Sequence, residues 1–197
     1  LLQPNAQPGD VRFKDMNGDG VINDNDKTYS GTGIAKVEAN LNLSASYKGF
    51  DFSAVIGSAF GNKIYNGIRY YYEGMNSASN FLSSTLDAWT PTHTNTSVPR
   101  AIYGDPNDNT RESTRFLENG DFVRLRQVQL GYTLPTSLVK KIYCDRIRFY
   151  VSAENVFTIT GYSGANPEFS MGVLNSGIDR FTYPFSRSYT VGAQVSF

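Results

Sequence analysis

Residues 187–197 alternate without interruption: Tyr189, Val191, Ala193, Val195 and Phe197 on one parity, Ser188, Thr190, Gly192, Gln194 and Ser196 on the other. A β-strand has a side-chain period of two, so this stretch has one wholly apolar face and one polar face. Its length matches the roughly 9–11 residues of a tilted strand that spans a bilayer. A polar surface behind an apolar one, ending on an aromatic residue, predicts the last strand of an outer-membrane β-barrel. Tyr189, Val191, Val195 and Phe197 are then the expected assembly signal.

Composition agrees with a wall and argues against several other classes. Lysine plus arginine equals aspartate plus glutamate at 18 each, so no basic excess points to nucleic acid. Aromatic residues make up 14% of the chain, with 13 Tyr and 13 Phe, which suits strands and interfacial girdles. No run of about 18 apolar residues encodes a membrane-spanning helix. Alternation hides strand hydrophobicity, and a mean hydropathy of −0.37 is compatible with a barrel. The start, Leu1-Leu2-Gln3-Pro4, has neither an initiator Met nor a leader-like pattern, and the chain is expected to be a fragment or processed piece. The single Cys144 leaves no internal disulfide and no cysteine metal cluster.

The same alternation recurs upstream. Val37, Ala39, Leu41, Leu43, Ala45 and Tyr47 define one strand face; after Lys48-Gly49, Phe50, Phe52, Ala54, Ile56 and Phe60 resume it, predicting a tight hairpin. A third strand is expected from about Asp121 to Leu134. Its phase slips, because Val123 and Leu125 lie on one parity and Val128, Leu130, Tyr132 and Leu134 on the other. Either a bulge near Arg126-Gln127 reconciles them, or the first half stands above the bilayer. Pro135 closes this strand, and Thr136 to Ile142 leave room for one helical turn. A fourth strand covers Asp145 to about Thr158. The connections then alternate short (48–49), long (61–120), short (135–144), long (160–186), as periplasmic turns and extracellular loops do. Arg124, Arg126, Arg148 and Glu154 are expected on the lumen side as wall salt bridges.

One stretch carries the chemistry of a metal loop. Asp15, Asn17 and Asp19, followed by Gly20, Val21 and Asp26, fit the spacing of a calcium loop: oxygens at positions 1, 3 and 5, glycine at 6, a backbone carbonyl at 7 and a carboxylate at 12. A structural Ca2+ is therefore expected. The competing reading is a metal-free acidic turn, since Asn17-Gly18 and Asp19-Gly20 are turn dipeptides in their own right. Tyr70, Tyr71, Tyr72 and Trp89 lie in the long segment 61–120. They are ligand-stacking candidates, against the favoured reading of loop packing or a girdle. His93 is the only histidine and has no nucleophile at a recognisable spacing. No hydrolase, P-loop or dinucleotide fingerprint is present, and no enzyme is expected.

Four further segments, with the terminal strand, resemble one family through almost the whole chain and in its order: 8–22 (PGDVRFKDMNGDGVI), 41–51 (LNLSASYKGFD), 120–135 (GDFVRLRQVQLGYTLP) and 147–157 (IRFYVSAENVF). The chain resembles the C-terminal part of a SusC/RagA-family TonB-dependent outer-membrane transporter of the Bacteroidota. The resemblance implies a large plugged barrel of the 22-stranded kind. It also implies import of nutrients, oligosaccharide or peptide, with energy passed through TonB and a SusD-like surface lipoprotein as partner. Plug, leader and TonB-contacting segment belong to that family's N-terminal parts, so this chain is not expected to transport alone.

The expectation is thus an all-β chain: an antiparallel transmembrane β-barrel segment, the last roughly five strands of a large plugged barrel, with long extracellular loops. Residues 1–36 form an extracellular region with the calcium-type loop, and 37–197 form barrel strands and loops in contact with outer-membrane lipid. Two alternatives stay open. One is a passive porin or adhesin barrel; the other is a soluble secreted calcium-binding β-sandwich.

Overall fold

The computed structural model describes residues 2–169, 172 and 175–197. The expected connection 160–186 therefore falls partly outside the described residues, at 170, 171, 173 and 174, as does Leu1. Two compact units share the chain. One holds Gly33–Lys63, Asn119–Ser170 and Thr182–Phe197; the other holds Leu1–Thr32, Ile64–Glu118 and Met171–Phe181.

The first unit is a five-stranded antiparallel sheet. Its strands are β1 (Val37–Tyr47), β2 (Phe50–Phe60), β5 (Phe122–Thr133), β6 (Arg146–Thr160) and β8 (Ser188–Ser196), side by side in that order. Lys48 and Gly49 join β1 to β2 with φ of 47° and 88°, the left-handed pair that a two-residue hairpin matching strand twist requires. Gly49 has a second reason to lack a side chain: a Cβ there would lie 2.8 Å from the Thr133 carbonyl oxygen. The short link from β5 to β6 contains the expected helical turn, α2 (Thr136–Val139), extended by a 3-10 turn over Lys140–Ile142. Val139, Cys144 and Ile147 bury there with Leu134 against them, so the lone thiol is a core atom.

Register explains the slipped phase of the third strand. Val55 pairs with Gln127 but Ile56 with Leu125, and across β6 Leu125 pairs with Phe157 but Gln127 with Glu154. Arg126 is extra against β2, and Asn155, at φ 51°, lies in the widened stretch of β6. The bulge at Arg126 returns both halves of β5 to one facing.

Cross-strand rows then sort by chemistry. One row reads Ala45, Phe52, Leu130, Val151, Val191; the next reads Tyr47, Phe50, Tyr132, Phe149, Ala193. Alternate rows on the opposite face read Ser46, Asp51, Gly131, Tyr150, Gly192 and Ser44, Ser53, Gln129, Ser152, Thr190. The apolar face is open: Val151 is 49% exposed and Val191 84%.

The second unit carries β3 (Lys63–Asn66), α1 (Gly67–Tyr72), β4 (Leu117–Asn119) and β7 (Ile178–Asp179), with the sheet order β4-β3-β7. The β3–β7 pairing is parallel, Tyr65 against Ile178 and Asn66 against Asp179. Ile64 and Phe116 are its fully buried apolar anchors. Asn66 caps α1 by accepting from the Arg69 N–H.

Candidate functional site

On the polar face of the five-stranded sheet, charges are paired across strands. Arg148 donates from Nε and Nη2 to Asp51 at 2.9 and 2.5 Å. Arg124 is nearly buried; its guanidinium donates to Thr158 Oγ1, Glu168 and Asn166, and lies 4.7 Å from the Phe185 ring centroid. Arg126 donates to the other oxygen of Glu168, and Glu154 accepts from Ser188. The four expected wall residues therefore all make polar cross-links. Asp51, Asn166 and Glu168, their partners, were not singled out by sequence. The two latter sit in a connection without periodicity, and an acid in a polar row looks like any other polar residue there.

The apolar face gathers the terminal residues with their neighbours. Tyr189 pairs with Ala153, Val191 with Val151 and Val195 with Ile147. Phe197 follows β8 and is 88% exposed.

In the second unit the acidic loop closes on its own backbone. Asp15 accepts from the Gly18 and Gly20 N–H groups at 2.6 and 2.9 Å, Asn17 from Asp19, Asp19 from Val21. Asp26 accepts from Asn23 and Met16, both at 2.8 Å; these two N–H groups hold its carboxyl below the usual carboxylate range. Gly18 and Gly20 take φ of 78° and 80°, the left-handed turns that the spacing anticipated. The donors are all hard oxygens, the type calcium takes, and a carboxylate oxygen that accepts one N–H keeps a second lone pair. Among the described residues, no group of three or more His, Cys, Asp or Glu is drawn together as a metal site. The loop's closure is thus complete in backbone terms. Calcium rests on donor chemistry and spacing.

Around this loop lies a polar framework. Arg111 reaches the Ile22 carbonyl at 3.4 Å and covers the Phe13 ring. Arg100 clamps Asp10 through Nε at 2.7 Å and Nη2 at 3.0 Å, and Asn109 donates to the same carboxylate. Burial raises the Asp10 pKa, but Arg100, Asn109 and the Gln7 N–H outweigh it, and the net shift is downward. Glu73 accepts from both Arg69 and Arg115, while Glu118 accepts from Arg69. Burial pulls the Arg115 pKa down and opposes the Glu73 charge.

Tyr70, Tyr71 and Tyr72 do not converge on one ligand position. Tyr70 packs edge-on against Phe116 and Tyr71; Tyr71 and Tyr72 both meet Phe181. Trp89 stands apart from them, its ring against Gly9, and lines a cavity of about 610 Å³ with Arg12, Lys14 and Arg115. A second cavity, of about 920 Å³, is walled by Ile22, Asp26 and Lys27 of the acidic loop region and by Tyr65 and Arg111. His93 is held by Asp87 at 2.7 Å, and Thr96 donates to the other Asp87 oxygen.

An antiparallel meander with one continuous apolar face open to its surroundings, and ion pairs confined to the other face, is the wall of a transmembrane β-barrel. No family model matches the chain. It is 32% identical to the TonB-dependent receptor P3 of Formosa agariphila and 28% identical to the TonB-dependent receptor SusC of Bacteroides thetaiotaomicron, over 100% of its own length in each case. It superposes on the RagAB peptide importer in the closed-closed state with a TM-score of 0.71 at 30% identity, over 86% of this chain and 18% of that one. The chain is a segment of a SusC/RagA-type TonB-dependent receptor. It spans 20% of the length of the P3 receptor and 18% of SusC.

Proposed function

We propose that this segment supplies barrel wall and extracellular loops to an outer-membrane importer of nutrients, powered through TonB and partnered by a SusD-like surface lipoprotein. The observation that carries the reading is the apolar face of the five-stranded sheet, from Leu43 to Val191, which alternates with a polar face as the lipid side of a barrel wall does. The likeness to the RagAB peptide importer supports a peptide cargo; oligosaccharide stays in view from the family resemblance of the sequence. The wall strands act as scaffold, and no catalytic step is assigned to them.

The test combines location with transport. Source cells are fractionated and blotted with an antibody to residues 188–197, and nutrient uptake is compared with and without TonB. A band far heavier than 21.8 kDa in the outer membrane, with TonB-dependent uptake, is the expected result. TonB-independent uptake through the same protein would leave a passive barrel instead.

A further inference from the structure

The two cavities of the second unit are neighbours: both are lined by Phe13, Lys14, Ser113 and Thr114. Volumes of about 610 and 920 Å³ are those of ligand sites. Their lining holds polar atoms that the fold leaves unmatched. The Ser113 hydroxyl, the Tyr65 hydroxyl, and Nε and Nη1 of Arg115 are buried and have no hydrogen-bond partner among the described residues. Buried polar groups are almost always paired, so the Ser113 hydroxyl and the two Arg115 nitrogens, from residues that line the smaller cavity, point to a ligand there that supplies the missing partners.

Charge narrows the ligand. The smaller cavity's one acid, Asp10, is neutralised by Arg100. Arg115 belongs to a balanced set with Arg69, Glu73 and Glu118. Arg12 and Lys14 are exposed and make no ion pair among the described residues, so they leave the smaller cavity with a positive excess, which the larger cavity, lined also by Asp24, Asp26, Asp108 and Glu112, does not share. The remaining wall offers the hydroxyls of Ser97, Ser113 and Thr114 together with the Trp89 ring. Hydroxyls both donate and accept, as a polyol requires of its partners, and an indole offers an apolar surface to a sugar ring.

We propose that the smaller cavity is a binding subsite for a carboxylate-bearing saccharide, its acid held by Arg12 and Lys14 and its ring beside Trp89. The Arg115 and Ser113 groups complete the contacts deeper in the wall. This deepens the importer reading by naming a substrate class, and rests on it only for the source of the ligand.

The test uses the purified full-length receptor and calorimetric titration with three probes: trigalacturonate, maltotriose and triglutamate. Trigalacturonate should bind at least tenfold more tightly than the other two, and less tightly as NaCl rises. An Arg12→Gln, Lys14→Gln double variant should weaken it about tenfold or more, the scale of a lost charge-assisted contact. Both positions are exposed, so the variant keeps its fold, which an unchanged melting curve verifies. No trigalacturonate binding, equal binding by the variant, or maltotriose binding as tight would overturn the proposal. Tighter triglutamate binding would overturn it in favour of an acidic peptide. Because binding is read without transport, such a failure leaves TonB-dependent uptake untouched, and loss of TonB dependence leaves the subsite untouched.

Discussion

Asp51 of β2 and Arg148 of β6 form a bidentate ion pair across the whole width of the strand between them, and Gly131 of that strand lies beneath the pair. A Cβ at Gly131 would stand 2.5 Å from both Arg148 Nη2 and Asp51 Oδ1. The same device recurs on this face. Gly57 lies under the Arg126 guanidinium, and Gly192 under the Tyr150 ring. Glycine in a strand interior weakens it by itself, so its presence here answers to the side chains that must cross it.

Gly131→Val should therefore push Asp51 and Arg148 apart and lower barrel stability by about 1–3 kcal/mol, the usual scale of overpacking. Asp51→Asn alone should cost less, because the pair is partly solvated on the polar face. In the Gly131→Val background Asp51→Asn should add almost nothing, since the interaction is already lost. Heat-modifiability of the full-length receptor on gels reads all three. Additive losses would mean that Gly131 and the ion pair are independent.

Val151 and Ser152 separate the membrane wall from a soluble sandwich. Val151 sits in the apolar row between Leu130 and Val191, and Ser152 in the polar row between Gln129 and Thr190. In a bilayer, Val151→Lys should cost up to about 2–4 kcal/mol, falling towards the interfaces, while Ser152→Lys faces the lumen and should be nearly neutral. Folding yield into vesicles compares the two. Similar yields would refute lipid contact at Val151.

The Asp10–Arg100 clamp makes the second unit acid-sensitive. The folded Asp10 carboxyl titrates below its ordinary value, so its stabilisation is fully present above the unfolded pKa of about 3.9. It is lost as pH falls through the folded value. Asp26, shifted the same way by the Asn23 and Met16 N–H groups, adds to the slope. Acid-stable protease digestion of the receptor across pH 5 to 2 should show cleavage within 1–32 and 64–118 rising at the acid end. Asp10→Asn should flatten that rise and leave the unit weaker at pH 7. An unchanged profile would remove the clamp from the account.

The five long strands were legible because alternation over nine or more residues is a strong signal; the phase slip left two readings open, and the register shows the one with a bulge near Arg126-Gln127. The short strands β3, β4 and β7 and the single-capped α1 were not, since two to six residues cannot display a period. Partners far apart in sequence were equally hidden: Asp51 and Arg148 are separated by 97 positions, Asp10 and Arg100 by 90. Nothing local marks an aspartate as one that meets a distant arginine. Glycines 57, 131 and 192 looked like polar-face filler, whereas their real partners are large side chains on neighbouring strands.

Calcium at the acidic loop is proposed from the Asp15-to-Asp26 spacing, and the loop geometry sets what its binding must achieve. The carboxylates of Asp15, Asp19 and Asp26 each accept a backbone N–H, and an ion bound there would neutralise their charge. Weak binding of the extracellular-module kind, with Kd of about 10⁻⁴–10⁻³ M, is expected by calorimetry. Asp15→Ala with Asp19→Ala should abolish it. Equal heats for wild type and variant would leave this loop as an acidic turn.

Phe197 continues the parity of Tyr189, Val191 and Val195 beyond the end of β8 and is 88% exposed. An exposed aromatic at the end of an apolar strand face has two physical uses: anchoring at the bilayer interface, or presentation to whatever machinery inserts the barrel. Both predict that deleting Phe197 lowers the amount of folded receptor in the outer membrane. They differ in where the loss arises. An anchor would leave insertion rate unchanged and lower the melting temperature of inserted barrel. A recognition element would slow insertion and leave the melting temperature as it was. Pulse-labelled assembly followed by heat-modifiability distinguishes them, and unchanged levels after deletion would dismiss both.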